Sequence, residues 1–219
     1  MLKDKLEKIK LLMRYAVPRN RLEEATDLVL RYQNDAIGLN LFHAFYSFLP
    51  EAEDDLILAL RLLGRRQGTF LIRASTMLGV YLYLVNRERA EFIGPDTQKK
   101  WDRDLLQFFG YGDSKSLSKQ LADPALLDEY TPSCQDESLC PVCQAAHGEH
   151  HAFGCPTEIC PWCGGQLTSC NCRFKQLERD QIKTASQIDL LLKKLNKKGR
   201  IAFDSDRHRL SFPAMEGEG

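Results

Sequence analysis

The sequence predicts an α+β protein, with a mostly helical N-terminal domain carrying a small antiparallel sheet and a short cysteine-rich module at its C-terminal end. Three observations carry this reading. Apolar residues recur at three- and four-residue spacing through residues 2–63. Short runs rich in β-branched and aromatic residues, punctuated by glycine, fill 68–94. Seven of the eight cysteines and three of the five histidines fall between positions 140 and 172.

Composition sets the bounds. A chain of 219 residues suits one sizeable domain plus a small appended one, and 43% hydrophobic content is enough for a packed core. The 30 basic and 30 acidic residues cancel, which argues against a dedicated, non-specific nucleic-acid binder. No run approaches the apolar length of a membrane span, and no lipidation signal is apparent, so no membrane partner is expected. Residues 1–10 are charged and no apolar signal-peptide core follows, which predicts a cytoplasmic, reducing location.

Residues 1–125 are expected to form the α+β domain, with helices over 1–64, a sheet over 68–94 and helices over 96–122. Leu2, Leu6, Ile9, Leu12 and Met13 line one face of a first helix, which Pro18 ends. Leu22, Ala25, Leu28, Val29 and Tyr32 mark a second, and Leu39, Leu41, Phe42, Phe45 and Phe48 a third. Pro50 and the acidic residues 51–55 read as the first turn of a fourth helix, with 56–63 as its body. Three strands follow at 69–73, 80–85 and 90–93, with a buried helix over 70–85 as the competing reading. Asp96 is the expected cap of the next helix, whose face is Trp101, Leu105, Leu106 and Phe109. Gly110 and Gly112 break it, and Leu117 and Leu121 are buried in another turn.

An acidic linker is expected over 126–139, then a module over 140–203 with its own helix, and a flexible tail over 204–219. Within the module, Cys140-Pro-Val-Cys143 and Cys160-Pro-Trp-Cys163 are sixteen residues apart, a spacing that reads as a zinc site. Two thiolates three positions apart on a tight turn can face one tetrahedral ion while backbone N–H groups donate to the sulfurs. Pairing these two turns gives a zinc ribbon, and leaves His151, Cys155, Cys170 and Cys172 to close a second set. A rival partition groups Cys160, Cys163, Cys170 and Cys172, leaving Cys140, Cys143, Cys155 and one histidine for the other ion. One or two Zn2+ ions are therefore expected, and Cys134 is expected to be a free thiol. Disulfides suit a reducing compartment poorly, and two CxxC pairs with extra ligands suit metal better than redox exchange. A catalytic zinc would need an open position and an acid such as Glu149 or Glu158.

The run from His151 and Cys155 through Cys160-Pro-Trp-Cys163-Gly-Gly-Gln-Leu-Thr-Ser-Cys170-Asn-Cys172 resembles the C-terminal part of small uncharacterised bacterial proteins with a CPxCGGQLxSCxC zinc motif. In those proteins a helical segment and a Lys-Gly-Arg-Ile-like stretch follow, here 198–201. The resemblance covers about the last 80 residues, one minor domain. It implies bound zinc and a bacterial source, and carries no activity.

A second similarity lies at 68–85. Gly68-Thr-Phe-Leu-Ile-Arg73-Ala-Ser75 and Gly79-Val-Tyr81 resemble the second and third strands of Src-homology phosphotyrosine-binding domains, which implies that Arg73 forks onto a phosphate. The chain departs from that family where Leu49 or Pro50 stands for a second arginine and where no histidine follows Val85. The plain alternative for Arg73 is a surface arginine at a strand end.

Beyond Cys172, residues 181–184 suggest a short strand, and Thr184 with Gln187 a capping box for a helix whose apolar face is Ile188, Leu191, Leu192 and Leu195. Lys193, Lys194, Lys197, Lys198 and Arg200 cluster at its end, as a solvated face or a partner-facing patch. No nucleophile elbow, phosphate loop or dinucleotide fingerprint is present, so no catalytic residue is nominated. The function expected is a non-catalytic zinc-binding protein in which the zinc is structural. Trp162, Leu167, Arg173, Phe174 and the basic cluster would face a protein partner. A nucleic-acid-binding zinc ribbon, and an enzyme with its site between the two domains, are the alternatives.

Overall fold

A computed structural model describes residues 2–48, 54–123, 125, 127–132 and 138–206. The chain divides into two compact units, 1–136 and 137–219.

The N-terminal unit opens with α1 (Leu2–Ala16), a 3-10 turn (Arg19–Arg21), α2 (Leu22–Arg31) and α3 (Ala36–Phe48). Four strands follow in one antiparallel meander: β1 (Ile57–Arg66), β2 (Thr69–Thr76), β3 (Val80–Val85) and β4 (Ala90–Pro95), in spatial order β1-β2-β3-β4. Strand alternation divides the side chains between two cores. Phe70, Ile72 and Ala74 of β2 join Ile9, Met13, Val29, Ile37 and Phe42 in the larger one. Leu71 and Leu82 join Trp101, Leu106, Leu117 and Leu121 in the smaller one, formed with α4 (Arg103–Phe109) and α5 (Ser114–Ala122). The chain is α+β, as expected.

Four expectations are corrected here. Of the expected helix body 56–63, residues 57–63 form most of strand β1 and Leu56 lies just before it, so the sheet has four strands and α3 is the last helix described ahead of it. The first of the following helices is capped by Asp102, whose carboxylate accepts from the N–H groups of Asp104 and Leu105, while Asp96 pairs elsewhere. Leu127 and Tyr130, expected in the linker, belong to the cores of the N-terminal unit. Tyr130 is buried, its N–H donates to the Leu60 carbonyl at 2.9 Å and its hydroxyl to the Asp35 carboxylate at 2.7 Å. Residues 181–184 form no strand and lead directly into the last helix. Cys134, residues 49–53 and the tail beyond 206 lie outside the described residues, as does the expected linker except 127–132, 138 and 139.

The C-terminal unit holds two tight turns followed by α6 (Cys172–Leu177) and α7 (Ala185–Lys198). The capping box is present: Thr184 accepts from the Gln187 N–H, and Gln187 accepts from the Thr184 N–H. Gly199 ends the helix in a left-handed conformation, φ 93°. The apolar cores of this unit are small. One is Ala145, Phe203 and the sulfurs of Cys140, Cys143 and Cys155, and the other is Leu167, Leu177, Leu191, Leu195 and Cys160. Of the expected apolar face of α7, Leu191 and Leu195 are buried and Ile188 is exposed.

Candidate metal centres

The two Cys-Pro-x-Cys turns are the same backbone structure built twice. In the first, the Cys140 N–H donates to the Ala145 carbonyl and the Gln144 N–H to the Cys140 carbonyl, at 2.9 and 2.8 Å. In the second, the Cys160 N–H donates to the Gly165 carbonyl and the Gly164 N–H to the Cys160 carbonyl, at 2.7 and 2.9 Å. Bridges Leu139–Ala146 and Ile159–Gln166 close each turn at the same offset. The fifth residue counted from the first cysteine is left-handed in both, Gln144 at φ 61° and Gly164 at φ 76°. Backbone N–H groups also reach the sulfurs at matching places, from Ala145 to Cys143 and from Gly165 to Cys163. Each turn therefore aims two thiols at one point and supplies donors that stabilise thiolates.

What completes each turn differs. Cys140, Cys143, His151 and Cys155 bring four ligand atoms within 4.8 Å of one another, and so do Cys160, Cys163, Cys170 and Cys172. The structure thus assembles the second partition of the sequence reading, with His151 as the histidine. The ribbon pairing of Cys140 and Cys143 with Cys160 and Cys163 in one site does not occur. His147 and His150 join neither set.

The ligand spacing in the first set suits a closed tetrahedral ion. A Zn–S distance of about 2.3 Å implies sulfurs about 3.8 Å apart, and a Zn–N distance of about 2.0–2.1 Å implies S···N near 3.5 Å. Cys140 Sγ lies 3.8 Å from Cys155 Sγ, and Cys143 Sγ lies 3.3 Å from His151 Nδ1. Crowding disturbs the titration of the groups. Contacts from the Cys143 and Cys155 thiols push the Cys140 pKa down, while the contact with Cys140 pushes Cys143 up. Burial alone would lower His151, but the sulfurs of Cys140 and Cys155 outweigh it and raise the imidazole to about 9. In the second set the Gly165 N–H holds Cys163 low, and the contact with Cys163 raises Cys172 to about 12. Clustered thiols and an imidazole of this kind suit a divalent cation, which binds their deprotonated forms and displaces the protons.

Two residues that the spacing did not single out complete the region. Thr157 Oγ1 lies 3.2 Å from Cys140 Sγ, 3.0 Å from Cys155 Sγ and 3.4 Å from His151 Nδ1, so its hydroxyl backs the first set. Glu158 is fully buried and takes both prongs of Arg200, which also donates to the His151 carbonyl at 2.6 Å. Glu158 is therefore committed to an ion pair and is not available as an acid beside a metal. Glu149 accepts from the Ala146 N–H at 2.9 Å, bracing the loop between Cys143 and His151.

No protein-family model, curated protein or solved structure matches the chain. The site is interpreted from its own geometry.

The residues expected to face a partner divide into two groups. Lys193, Lys197 and Lys198 are exposed. Arg173 is half-buried, with its guanidinium 4.7 Å above the Phe174 ring. Trp162 packs partly against the second small core. Leu167 and Arg200 are corrections, since Leu167 is a core residue and Arg200 is held by Glu158. Lys194 is half-buried and donates to the Gln176 carbonyl, tying α7 to α6.

Arg73 is not the strand-end surface arginine of the plain reading. It lies within β2, is buried, and pairs with Asp96 through Nη2 at 2.9 Å and Nε at 3.2 Å. Ser75 accepts from its Nη1 at 3.2 Å. A cavity of about 730 Å³ in the N-terminal unit is lined by Phe45, Phe48, Tyr81, Tyr83 and Phe92. The buried carboxylate at its wall, Asp55, already accepts from the N–H groups of Leu56, Met77 and Leu78 and from the Thr76 hydroxyl. It offers no free general base.

Proposed function

We propose that this is a zinc-binding protein whose C-terminal unit is held together by two structural ions and serves as a docking module for a protein partner. Cys140, Cys143, His151 and Cys155 hold one ion, and Cys160, Cys163, Cys170 and Cys172 the other. The carrying observation is the convergence of two complete four-ligand sets, each within 4.8 Å, on duplicated turns. Complete N/S sets saturate a tetrahedral ion and leave no position for a substrate, which favours a structural over a catalytic role. The small size of the two apolar cores supports the same reading, since such a unit needs a metal to reach a stable fold.

A reducing, cytoplasmic setting suits thiolates kept for metal. Resemblance of the 151–172 run to small bacterial proteins with a zinc motif fits the reading. No helix among the described residues is long and apolar enough to cross a membrane. The surface offered to a partner is Arg173 and Phe174 with Lys193, Lys197 and Lys198. Charge favours a protein over a nucleic acid: three thiolates on one ion and four on the other leave net negative charge in a chain that is otherwise balanced.

Metal content per chain tests this. Two zinc ions are expected in the native protein, with Cys143→Ser and Cys170→Ser each lowering the count to one. No zinc in the native protein, or no change with either variant, overturns the assignment. Binding that weakens steeply with added salt and disappears on replacing Lys193, Lys197 and Lys198 with alanine would assign the patch to nucleic acid instead.

A further inference from the structure

The two ligand sets meet solvent very differently. In the first, Cys140, Cys143, His151 and Cys155 are all buried, at 0, 9, 2 and 4% exposure. In the second only Cys160 is sealed, while Cys163 is exposed and Cys170 and Cys172 are half-buried. The duplicated turn explains the contrast. After Cys143 the chain places Gln144 and Ala145, both buried. After Cys163 the same positions are Gly164 and Gly165. Nothing lies within 4 Å of where a Cβ at Gly164 would sit, and at Gly165 the one near atom is Cys163 Sγ, at 3.7 Å. The second turn thus has glycines and open space where the first has buried side chains, and its second cysteine, Cys163, is exposed. Ligand chemistry adds to this, because four thiolates on one ion keep more electron density on sulfur than three thiolates and an imidazole.

We propose that Cys163 is an oxidation site, and that hydroperoxides convert the second ligand set, and not the first, to a disulfide with release of its ion. This rests on the metal assignment above. The Cys163 thiolate attacks one peroxide oxygen and the O–O bond breaks, giving a sulfenic acid and an alkoxide or hydroxide that takes a proton from water. Cys172, in side-chain contact with Cys163, then attacks the sulfenic sulfur. The S–S bond forms and hydroxide leaves. Two electrons pass from the thiolate pair to the peroxide. The ion, left with Cys160 and Cys170, has lost half its ligands and departs. Cys160 shares its small core with Leu167, Leu177, Leu191 and Leu195, and Cys170 and Cys172 pack against it, so release loosens the seat of α7. The first set, sealed, keeps its ion. The device is a peroxide-responsive release of one helix from a module that otherwise stays folded.

The test uses the full-length chain loaded with zinc and confirmed to hold two ions. Hydrogen peroxide is added, zinc release is followed with a chromogenic chelator, and disulfides are mapped by peptide mass spectrometry. One ion is expected to leave at an initial rate about tenfold or more above the other, because exchange and oxidation follow thiolate access. A Cys163–Cys172 disulfide should accompany it. Cys163→His, which replaces the exposed thiolate by an imidazole, should lose the fast phase and form no disulfide at position 163. Equal release of both ions, first loss from the Cys140 and Cys155 set, or a fast phase persisting in Cys163→His overturns the inference while leaving the metal assignment intact. The disulfide map of the unmodified chain decides the matter even where the variant does not hold its second ion. A native chain that never binds two ions overturns the assignment itself.

Discussion

Glu158 and Arg200, 42 residues apart in sequence, form a buried two-pronged ion pair, with Nε on Oε1 at 2.5 Å and Nη2 on Oε2 at 3.0 Å. Glu158 stands between Cys155, the last ligand of the first set, and Cys160, the first of the second. Arg200 directly follows the glycine that ends α7. One guanidinium thus fixes the end of the helix to the peptide joining the two metal turns, and holds the His151 carbonyl as well.

Arg200→Ala leaves the Glu158 carboxylate buried without its counter-charge, which should cost about 3–5 kcal/mol. Arg200→Lys keeps the charge but not the fork, and should fall between the two. Thermal unfolding of the zinc-loaded chain measures this. Identical midpoints for all three proteins would mean that the pair has no structural weight.

Gly164→Ala should destabilise the second turn by roughly 1–2 kcal/mol through backbone conformation alone, since an L side chain resists the left-handed region. The position has φ 76° and nothing within 4 Å of the added methyl, so no clash contributes. Zinc affinity of the second site, measured by chelator competition, should drop correspondingly, while the first site is unchanged.

Asp96→Ala strips the buried Arg73 of its carboxylate and should destabilise the N-terminal unit by about 3 kcal/mol. Because Asp96 occupies the fork of Arg73, the native chain is expected to show no measurable affinity for a phosphotyrosine peptide in a titration. Affinity in the native chain that vanishes in Arg73→Ala would instead make the arginine a phosphate ligand.

Alkaline pH should unfold the N-terminal unit. Burial, helped by the Glu129 carboxylate, pushes the Tyr32 hydroxyl up to about 12, and burial raises Tyr46 and Tyr83 further. Above pH ~10 the unfolded chain releases these protons while the folded chain keeps them, so stability falls as pH rises. For Tyr32 the stability at stake is on the order of 2–3 kcal/mol, lost progressively between pH ~10 and ~12. Denaturant midpoints measured just below and above that onset check the direction; a midpoint that rises with pH would contradict it.

Sequence patterns foretold β2 and β3 because Phe70 to Val85 is dense in residues that pack on a pleated surface, and β4 because a turn at 86–89 sets Ala90 to Ile93 returning beside them. Thr184 and Gln187 announced the start of α7 for an equally local reason. Strand β1 was hidden by its own irregularity. Ile57 and Leu60 enter the same core although they are three residues apart, because a bulge lies between Ile57 and Ala59, and a second lies between Leu62 and Gly64. Burial at Ile57, Leu60 and Leu63 then mimics the spacing of a helix. In the candidate metal region the ligand types were legible but their partition was not, since the same spacing permits either grouping and only the fold-back of each turn decides. Glu158 gave no local signal, and Arg200 looked like one more member of a basic run, because their pairing depends on where α7 ends.

The chain contains two tryptophans, and each compact unit holds one, Trp101 in the first and Trp162 in the second. Trp101 is buried in the smaller core of the sheet, and Trp162 stands between Cys160 and Cys163, partly packed on the core that α7 completes. Nature has thereby supplied an optical label for each half. In a Trp101→Phe background the remaining indole fluorescence reports on the cysteine-rich half alone, and in Trp162→Phe on the sheet alone, so the loosening of one can be timed against the integrity of the other in a single cuvette.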